Sequence, residues 1–198
     1  MQNCQDQNRV RYFNLSLHRS ATRSFCHFCD AIGLRACHWP GLEWDEGCRG
    51  LRPKAVALRF MADFSNFDAY ADIPIPSIYR DLSPKYPNAK FLLILREPEE
   101  WLQSVRRHIG GRSLYPLEQL QYKSITRRKI SYISQLSDSQ LLKGYRRHEN
   151  QVRRFFKKQS ERLAVFDLAT ENLSEKLSEF LGVSSLQDFP HHGRAVEK

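Results

Sequence analysis

The sequence predicts an α/β protein, a single domain of three layers with a central parallel sheet flanked by helices. Three observations predict it. Strand-like and helix-like segments alternate along the chain, as a parallel sheet with covering helices requires. The run Lys90-Phe91-Leu92-Leu93-Ile94-Leu95 is continuously apolar after its first residue, the pattern of a strand buried on both faces. The length of 198 residues suits one domain, spanning 1–198, with a sizeable core.

The elements follow in order. Tyr12 to Leu17 is largely apolar and reads as the first strand. A helix follows from about Thr22 to Ile32, where Phe25, Phe28, Cys29 and Ile32 recur at i, i+3, i+4 and i+7, and Gly33 suits its C′ position. A short second strand covers Arg35 to His38. Trp39 to Arg52 carries three glycines and a proline and reads as a loop. Pro53 is placed to open a helix burying Ala57, Phe60, Met61 and Phe64. Phe67 to Ala71 is the next strand, ending at Asp72-Ile73-Pro74, and a helix with Ile78, Tyr79 and Leu82 follows. After the Lys90–Leu95 strand a helix runs from Pro98 to Gly110-Gly111. Arg112 to Asp138 resists assignment; its Tyr115, Tyr122 and Tyr132 fit an apolar or aromatic pocket or, preferably, the core. A long helix then places Leu141, Tyr145, His148, Val152 and Phe156 on one face. Arg162 to Asp167 is the last strand, and Leu173 to Leu181 the last helix, stopped by Gly182.

Composition narrows the function classes. Hydrophobic residues make up 41% and charged residues 27%, an ordinary globular balance that excludes a disordered chain. No apolar run approaches the ~20 residues that span a bilayer, so no membrane partner is expected. The first residues, Met1-Gln2-Asn3-Cys4-Gln5-Asp6, lack an apolar signal core. Five cysteines without regular spacing argue for a reducing compartment, most simply the cytoplasm. The net charge of +9 favours polyanionic ligands. No DNA- or RNA-binding signature accompanies it, so nucleic acid is not expected as a partner.

Two stretches look built to hold anions. In the first, Leu15-Ser16-Leu17-His18-Arg19-Ser20-Ala21-Thr22-Arg23-Ser24-Phe25, a strand breaks into a polar loop and re-emerges as a helix. The first N–H groups of that helix lack intrahelical partners, and its dipole is positive there. Arg19 adds charge, and Ser20, Thr22 and Ser24 add hydroxyl donors. This is not the ATP-type phosphate loop, because no glycine precedes Gly33. The bland alternative is a helix capped by Ser20 or Thr22 with surface arginines. In the second, Arg96 ends the Lys90–Leu95 strand, where open α/β sheets place ligands, and Ser104 follows eight residues later. Two such sites suggest a ligand with two separated anionic ends.

Together these residues resemble a known family. Arg19-Ser20-Ala21-Thr22-Arg23-Ser24 after a strand, then Tyr86-Pro87-Asn88-Ala89-Lys90 leading through the strand to Arg96 and Ser104, is similar to sulfotransferases. Arg162 to Asp167, Phe180-Leu181-Gly182 and Phe189-Pro190-His191 resemble that family's ending. The resemblance implies a P-loop-like nucleotide site for 3′-phosphoadenosine 5′-phosphosulfate (PAPS) as cosubstrate, with no metal. It implies that Arg19, Ser20, Ala21, Thr22, Arg23 and Ser24 hold the 5′-phosphosulfate and that Arg96 and Ser104 hold the 3′-phosphate. The acceptor would be a hydroxyl or amine of a small molecule or glycan. Sulfuryl transfer needs in-line positioning and charge stabilisation, and Arg19 is the candidate for the departing phosphate. Asp72 is the candidate base, with a pKa raised by apolar surroundings; its other reading is a cap for the helix near Pro74. His38, Asp68 and His148 are weaker candidates. The chain differs from the family at Ala21, usually glycine, at His18, more often proline or glycine, and at Gly193, near a frequent asparagine. A positive φ at Ala21 would cost roughly 1 kcal/mol.

Other classes leave traces too. Cys26 and Cys29 form a C-x-x-C, with Cys37, His38 and Cys48 nearby, which raises a structural zinc module or a thioredoxin-like redox pair. Both cysteines fall inside the first helix, whereas a redox pair sits at a helix start. A binding protein that kept the nucleotide fold without turnover is a further alternative. So is a polyanion binder using Arg127-Arg128-Lys129, Arg146-Arg147, Arg153-Arg154 and Lys157-Lys158, although a solvated basic face is the default reading.

Overall fold

The computed structural model describes residues 10–40, 49–52, 55–56, 59, 64, 66–184 and 187–190. Five strands form one sheet: β1 (Tyr12–Asn14), β2 (Ala36–His38), β3 (Ala69–Ala71), β4 (Lys90–Leu95) and β5 (Leu163–Asp167). The spatial order is β2-β3-β1-β4-β5, and every pairing is parallel. The described helices are α1 (Thr22–Ala31), α2 (Ile75–Lys85), α3 (Pro98–Ile109), α4 (Pro116–Thr126), α5 (Asp138–Phe156) and α6 (Leu173–Leu181).

Strand alternation sorts the core into two faces. Phe13, Tyr70, Phe91 and Leu93 point to one face, under Ile78 and Leu82 of α2, Leu117 of α4, and Val152 and Phe156 of α5. Tyr12, Ala69, Ala71, Leu92 and Ile94 point to the other, under Phe25, Phe28 and Cys29 of α1 and Leu173, Leu177 and Leu181 of α6. This is the three-layer α/β architecture expected from the alternating pattern. A third cluster, built mainly from helices, joins Trp101, Val105 and Ile109 of α3 to Tyr122, Leu141 and Tyr145.

β4 and α6 have the bounds expected. β1 is shorter than Tyr12–Leu17 because the ladder ends at Asn14. The chain stays close to β4 beyond it, with the Leu15 N–H on the Leu92 carbonyl at 2.7 Å. Arg112–Asp138, unassigned from sequence, contains α4 and a 3₁₀ turn at Ile133–Gln135. There Tyr122 is fully buried, as a core residue, whereas Tyr115 and Tyr132 are 44% and 48% exposed and are not core. The helix expected after Pro53 falls largely outside the described residues, with Ala57, Phe60 and Met61. Cys4, Cys48, His191 and Gly193 also lie outside them.

The order of the strands positions the site. From β1 the chain first builds β2 and β3 on one side, then returns to add β4 and β5 on the other. The carboxyl ends of β1, β3 and β4 therefore surround a switch point, where open parallel sheets leave a crevice.

Candidate functional site

The turn from β1 to α1 is held in an unusual backbone conformation. Arg19 (φ 67°) and Ala21 (φ 59°) are both left-handed without being glycine. Each carries a steric penalty of roughly 1 kcal/mol, and the surrounding contacts hold them there. The Trp101 indole N–H donates to the His18 carbonyl at 3.0 Å, and the Ser20 N–H to the Leu17 carbonyl at 3.1 Å. Ala21 is the N-cap of α1 and offers no side-chain acceptor, and the first turn holds no acidic residue. At α3, by contrast, Glu97 accepts from the N–H groups of Glu99 and Glu100. The positive end of α3 is thus covered by its own carboxylate, while that of α1 has no side-chain cap.

The expected phosphate residues come together. Arg19, Ala21, Thr22, Arg23, Ser24, Asp72 and Arg96 line one cleft of about 200 Å³. The two anion stretches touch directly: an Arg96 Nη1–H donates to the Arg19 carbonyl at 3.3 Å. Arg96 is pinned by Tyr145, 49 residues away, whose hydroxyl accepts from the Arg96 N–H and donates to the Arg96 carbonyl, both at 2.8 Å. Its side chain also reaches Glu100 at 3.2 Å. Burial and then the charges of Arg96 and Arg23 lower the pKa of Arg19, against the opposing pull of Asp72.

Ser20 and Ser104 are placed differently. The Ser20 side chain lies beside Tyr145, away from this cleft. Ser104 is 1% exposed and its Oγ accepts from Arg19 Nε–H at 3.0 Å, so it supports the arginine from beneath instead of facing the cleft.

The carboxyl ends of β2 and β3 supply a second cluster. Asp72 sits just past β3 with φ 71° and is 5% exposed. Its Oδ1 accepts from the Ile73 N–H at 2.8 Å, and its Oδ2 from the Thr22 hydroxyl at 2.7 Å. Nε2 of His38, the last residue of β2, lies 3.0 Å from the same Oδ2. Burial alone would raise the Asp72 pKa. The hydrogen bond and charge of His38, with His18 and Thr22, outweigh it and lower the pKa to about 2. The expectation of a raised pKa for Asp72 is therefore corrected: its lone pairs are taken by donors, not surrounded by apolar groups. Nor does its side chain cap α2, whose N-cap, Pro74, has no side-chain hydrogen bond. Thr22 likewise spends its hydroxyl on Asp72, leaving its backbone N–H for the cleft. His38 is 25% exposed and lines the cleft. The available signal was register: His38 pairs with Ala71, the neighbour of Asp72, so both end at the same sheet edge.

The remaining candidates do not line this cleft. His148 donates to the Leu15 carbonyl at 2.7 Å, and burial lowers its pKa to about 4. Asp68 accepts from the Arg35 N–H at 2.9 Å, which ties β3 to the start of β2. Cys26 and Cys29 are buried in the α1 core, and burial raises both thiols, the opposite of a reactive pair. Among the described residues, no three His, Cys, Asp or Glu side chains gather as a metal site. No described helix is long and apolar enough to cross a membrane.

The description "Sulfotransferase domain" belongs to the family model that matches residues 11–197. The chain belongs to the sulfotransferase domain family. The sulfotransferase fold is also seen in a crystal structure of a sulfotransferase from Alicyclobacillus acidocaldarius, with 17% identity and a TM-score of 0.50. That match covers 89% of this chain and 82% of the other. A shikimate kinase from Bacteroides thetaiotaomicron matches with a TM-score of 0.48 and 10% identity, over 88% of this chain and 99% of the kinase. No curated protein sequence matches this sulfotransferase-family chain.

Proposed function

We propose that the protein transfers a sulfuryl group from PAPS to the hydroxyl or amine of a small-molecule or glycan acceptor. One observation carries this reading: Arg19, Arg23, Arg96 and the uncapped start of α1 converge in the cleft that also holds the His38–Asp72 pair. An anion site beside an oriented histidine suits transfer from an anionic donor to a protic acceptor.

The roles follow from chemistry. The α1 N–H groups, Arg19 and Arg23 take the 5′-phosphosulfate, and Arg96 takes the 3′-phosphate. Ser104 acts through Arg19, which it holds by a hydrogen bond. Leu168, Ala169, Phe189 and Pro190 form the apolar wall suited to an adenine ring. In the transfer, the acceptor oxygen or nitrogen forms a bond to sulfur as the bridging S–O bond breaks, and that electron pair leaves with the 5′-phosphate. His38 receives the acceptor proton, while Asp72 orients the imidazole and offsets its charge. Arg19 balances the charge growing on the departing phosphate. No step here calls on a metal.

The test is the product nucleotide, adenosine 3′,5′-bisphosphate (PAP). Binding to the native state alone raises the melting temperature by mass action. A rise with PAP, larger than with equimolar adenosine 5′-monophosphate, is the expected result. No rise at millimolar PAP overturns the reading. PAP binding without sulfate transfer from labelled PAPS to any acceptor in a broad panel favours the alternative, a non-catalytic nucleotide-binding protein on the same fold. Equal response to PAP and heparin favours a general polyanion binder.

A further inference from the structure

His18 lies between the anion loop and the third core cluster, and it is held at two points. Its carbonyl takes the Trp101 indole N–H at 3.0 Å. Its ring nitrogen Nε2 is 2.5 Å from the hydroxyl of Tyr122, with the two rings edge to face at 5.4 Å. Tyr122 is fully buried, and Nε2 is its hydroxyl's partner among the described residues. A buried phenol O–H has to donate to some acceptor. It therefore donates to Nε2, and a ring nitrogen that accepts carries no proton. The imidazole proton is then on Nδ1. Burial, the largest influence on His18, lowers its pKa and keeps the ring uncharged, against the opposing pull of Asp72 and Glu118.

His18 also lines the cleft, next to Arg19 and near Asp72, and Nδ1 has no partner among the described residues. We propose that His18 is a fixed hydrogen-bond donor to an oxygen of the transferred sulfuryl group, through Nδ1–H, and that Tyr122 is the positioning residue that sets its tautomer. The proposal rests on the sulfuryl-transfer reading of this cleft. With Nε2 engaged and Nδ1 protonated, His18 has no lone pair for an acceptor proton, which separates its role from that of His38. A donor already oriented before the ligand arrives stabilises the oxygens without reorganisation. It also adds no further charge to a cleft that already holds three arginines.

Two measurements on the full chain test this. The first is the ring ¹⁵N spectrum of His18 at pH 7, assigned against His18→Asn. The expected state is a neutral ring protonated at Nδ1, relaxing to a mixture of tautomers in Tyr122→Phe. A ring protonated at Nε2, or an imidazolium, overturns the proposal. The second compares PAPS and PAP affinity by calorimetry without acceptor. His18→Gln, which places no donor at the Nδ1 position, is expected to lose about tenfold or more of its affinity for PAPS, with PAP affinity unchanged. His18→Asn, whose side-chain N–H falls near Nδ1, is expected to retain PAPS affinity. An equal effect on PAPS and PAP, or none on either, overturns the donor role. If the wild-type protein binds neither nucleotide, the sulfuryl-transfer reading fails and the assigned ligand with it. Nucleotide binding with the wrong tautomer overturns the donor alone.

Discussion

Nε2 of His38 and Oδ2 of Asp72 stand 3.0 Å apart, joining the ends of two adjacent parallel strands at the rim of the cleft. Asp72 also accepts from Thr22, the first residue of α1, so the same carboxylate ties the histidine to the start of the anion loop. Removing His38 should abolish proton transfer while leaving the arginines in place. His38→Ala is expected to lower the rate of sulfate transfer by 10²–10⁴-fold, the usual size of a general-base effect, with PAP affinity within about threefold of wild type. Retained turnover, read by labelled PAPS, would remove His38 as the base. Asp72→Asn should lower the rate less, since the imidazole stays but loses its orientation.

Arg96 offers its guanidinium to the cleft while its backbone is clamped by Tyr145. Arg96→Ala is expected to weaken PAP binding by roughly 10–100-fold, the value of a charge-assisted hydrogen bond of about 1.5–3 kcal/mol. Tyr145→Phe removes only the clamp and should weaken binding by a smaller factor. Calorimetry on both variants checks the order, and equal affinity for all three proteins would take Arg96 out of the site.

Ala21 is left-handed at φ 59°, where a Cβ is penalised. Ala21→Gly relieves that penalty but adds freedom to the unfolded chain, which costs somewhat less. The net expectation is a stability equal to wild type or up to ~1 kcal/mol higher, read by urea unfolding. A loss of more than ~1 kcal/mol would show that the alanine methyl, packed against the α1 core cluster, outweighs the backbone strain.

Stability should fall on mild acidification through His148. Its folded pKa is lowered to about 4, whereas the unfolded value is about 6.5. Between these values the unfolded chain binds a proton that the native state refuses. The stabilisation is complete above about pH 6.5 and is lost progressively as pH falls toward 4, by an amount of order 3 kcal/mol. His148→Gln should flatten this part of the pH profile. An unchanged profile between pH 7 and 4.5 would count against a neutral buried His148.

Asp72 responds at lower pH. Its folded pKa of about 2 lies below the ordinary aspartate value of 3.8, so it stabilises the fold above pH 4, and this contribution fades as pH falls toward 2. Asp72→Asn should be less stable than wild type near pH 6, by about 2 kcal/mol, and the gap should narrow to about half near pH 3 and close only as pH falls to about 2. A pH-independent difference would point to packing instead of charge.

The local pattern was enough for the layers and most of the elements. The apolar run through Lys90–Leu95, the i/i+3/i+4/i+7 spacing of Phe25, Phe28, Cys29 and Ile32, and the stop at Gly182 depend on neighbours in the chain, so they are legible one-dimensionally. The strand-to-helix turn of Arg19 to Ser24 was legible for the same reason, since these residues are contiguous. Basic runs such as Arg127-Arg128-Lys129 also read correctly as an exposed face. Arg112–Asp138 was not legible, because Pro116–Thr126 holds its helix with Glu118 pairing to Arg112 and with apolar contacts to distant α3 and α5, and not with a clean amphipathic stripe.

What the tertiary structure alone decided is which polar groups face each other. Sequence put a carboxylate at the end of β3 but not its partners; the parallel register of β2 and β3 delivered His38, and the turn into α1 delivered Thr22, and together they reversed the direction of the Asp72 pKa. The same holds for Ser104 beneath Arg19, Tyr145 on Arg96 and Tyr122 on His18, pairs separated by 85, 49 and 104 residues. Hydrogen bonds act over about 3 Å in space, whereas sequence records only separation along the chain. Composition and periodicity therefore set the sheet, its helices and the charge of the loop, and folding set the protonation state and orientation of the groups that would do the chemistry.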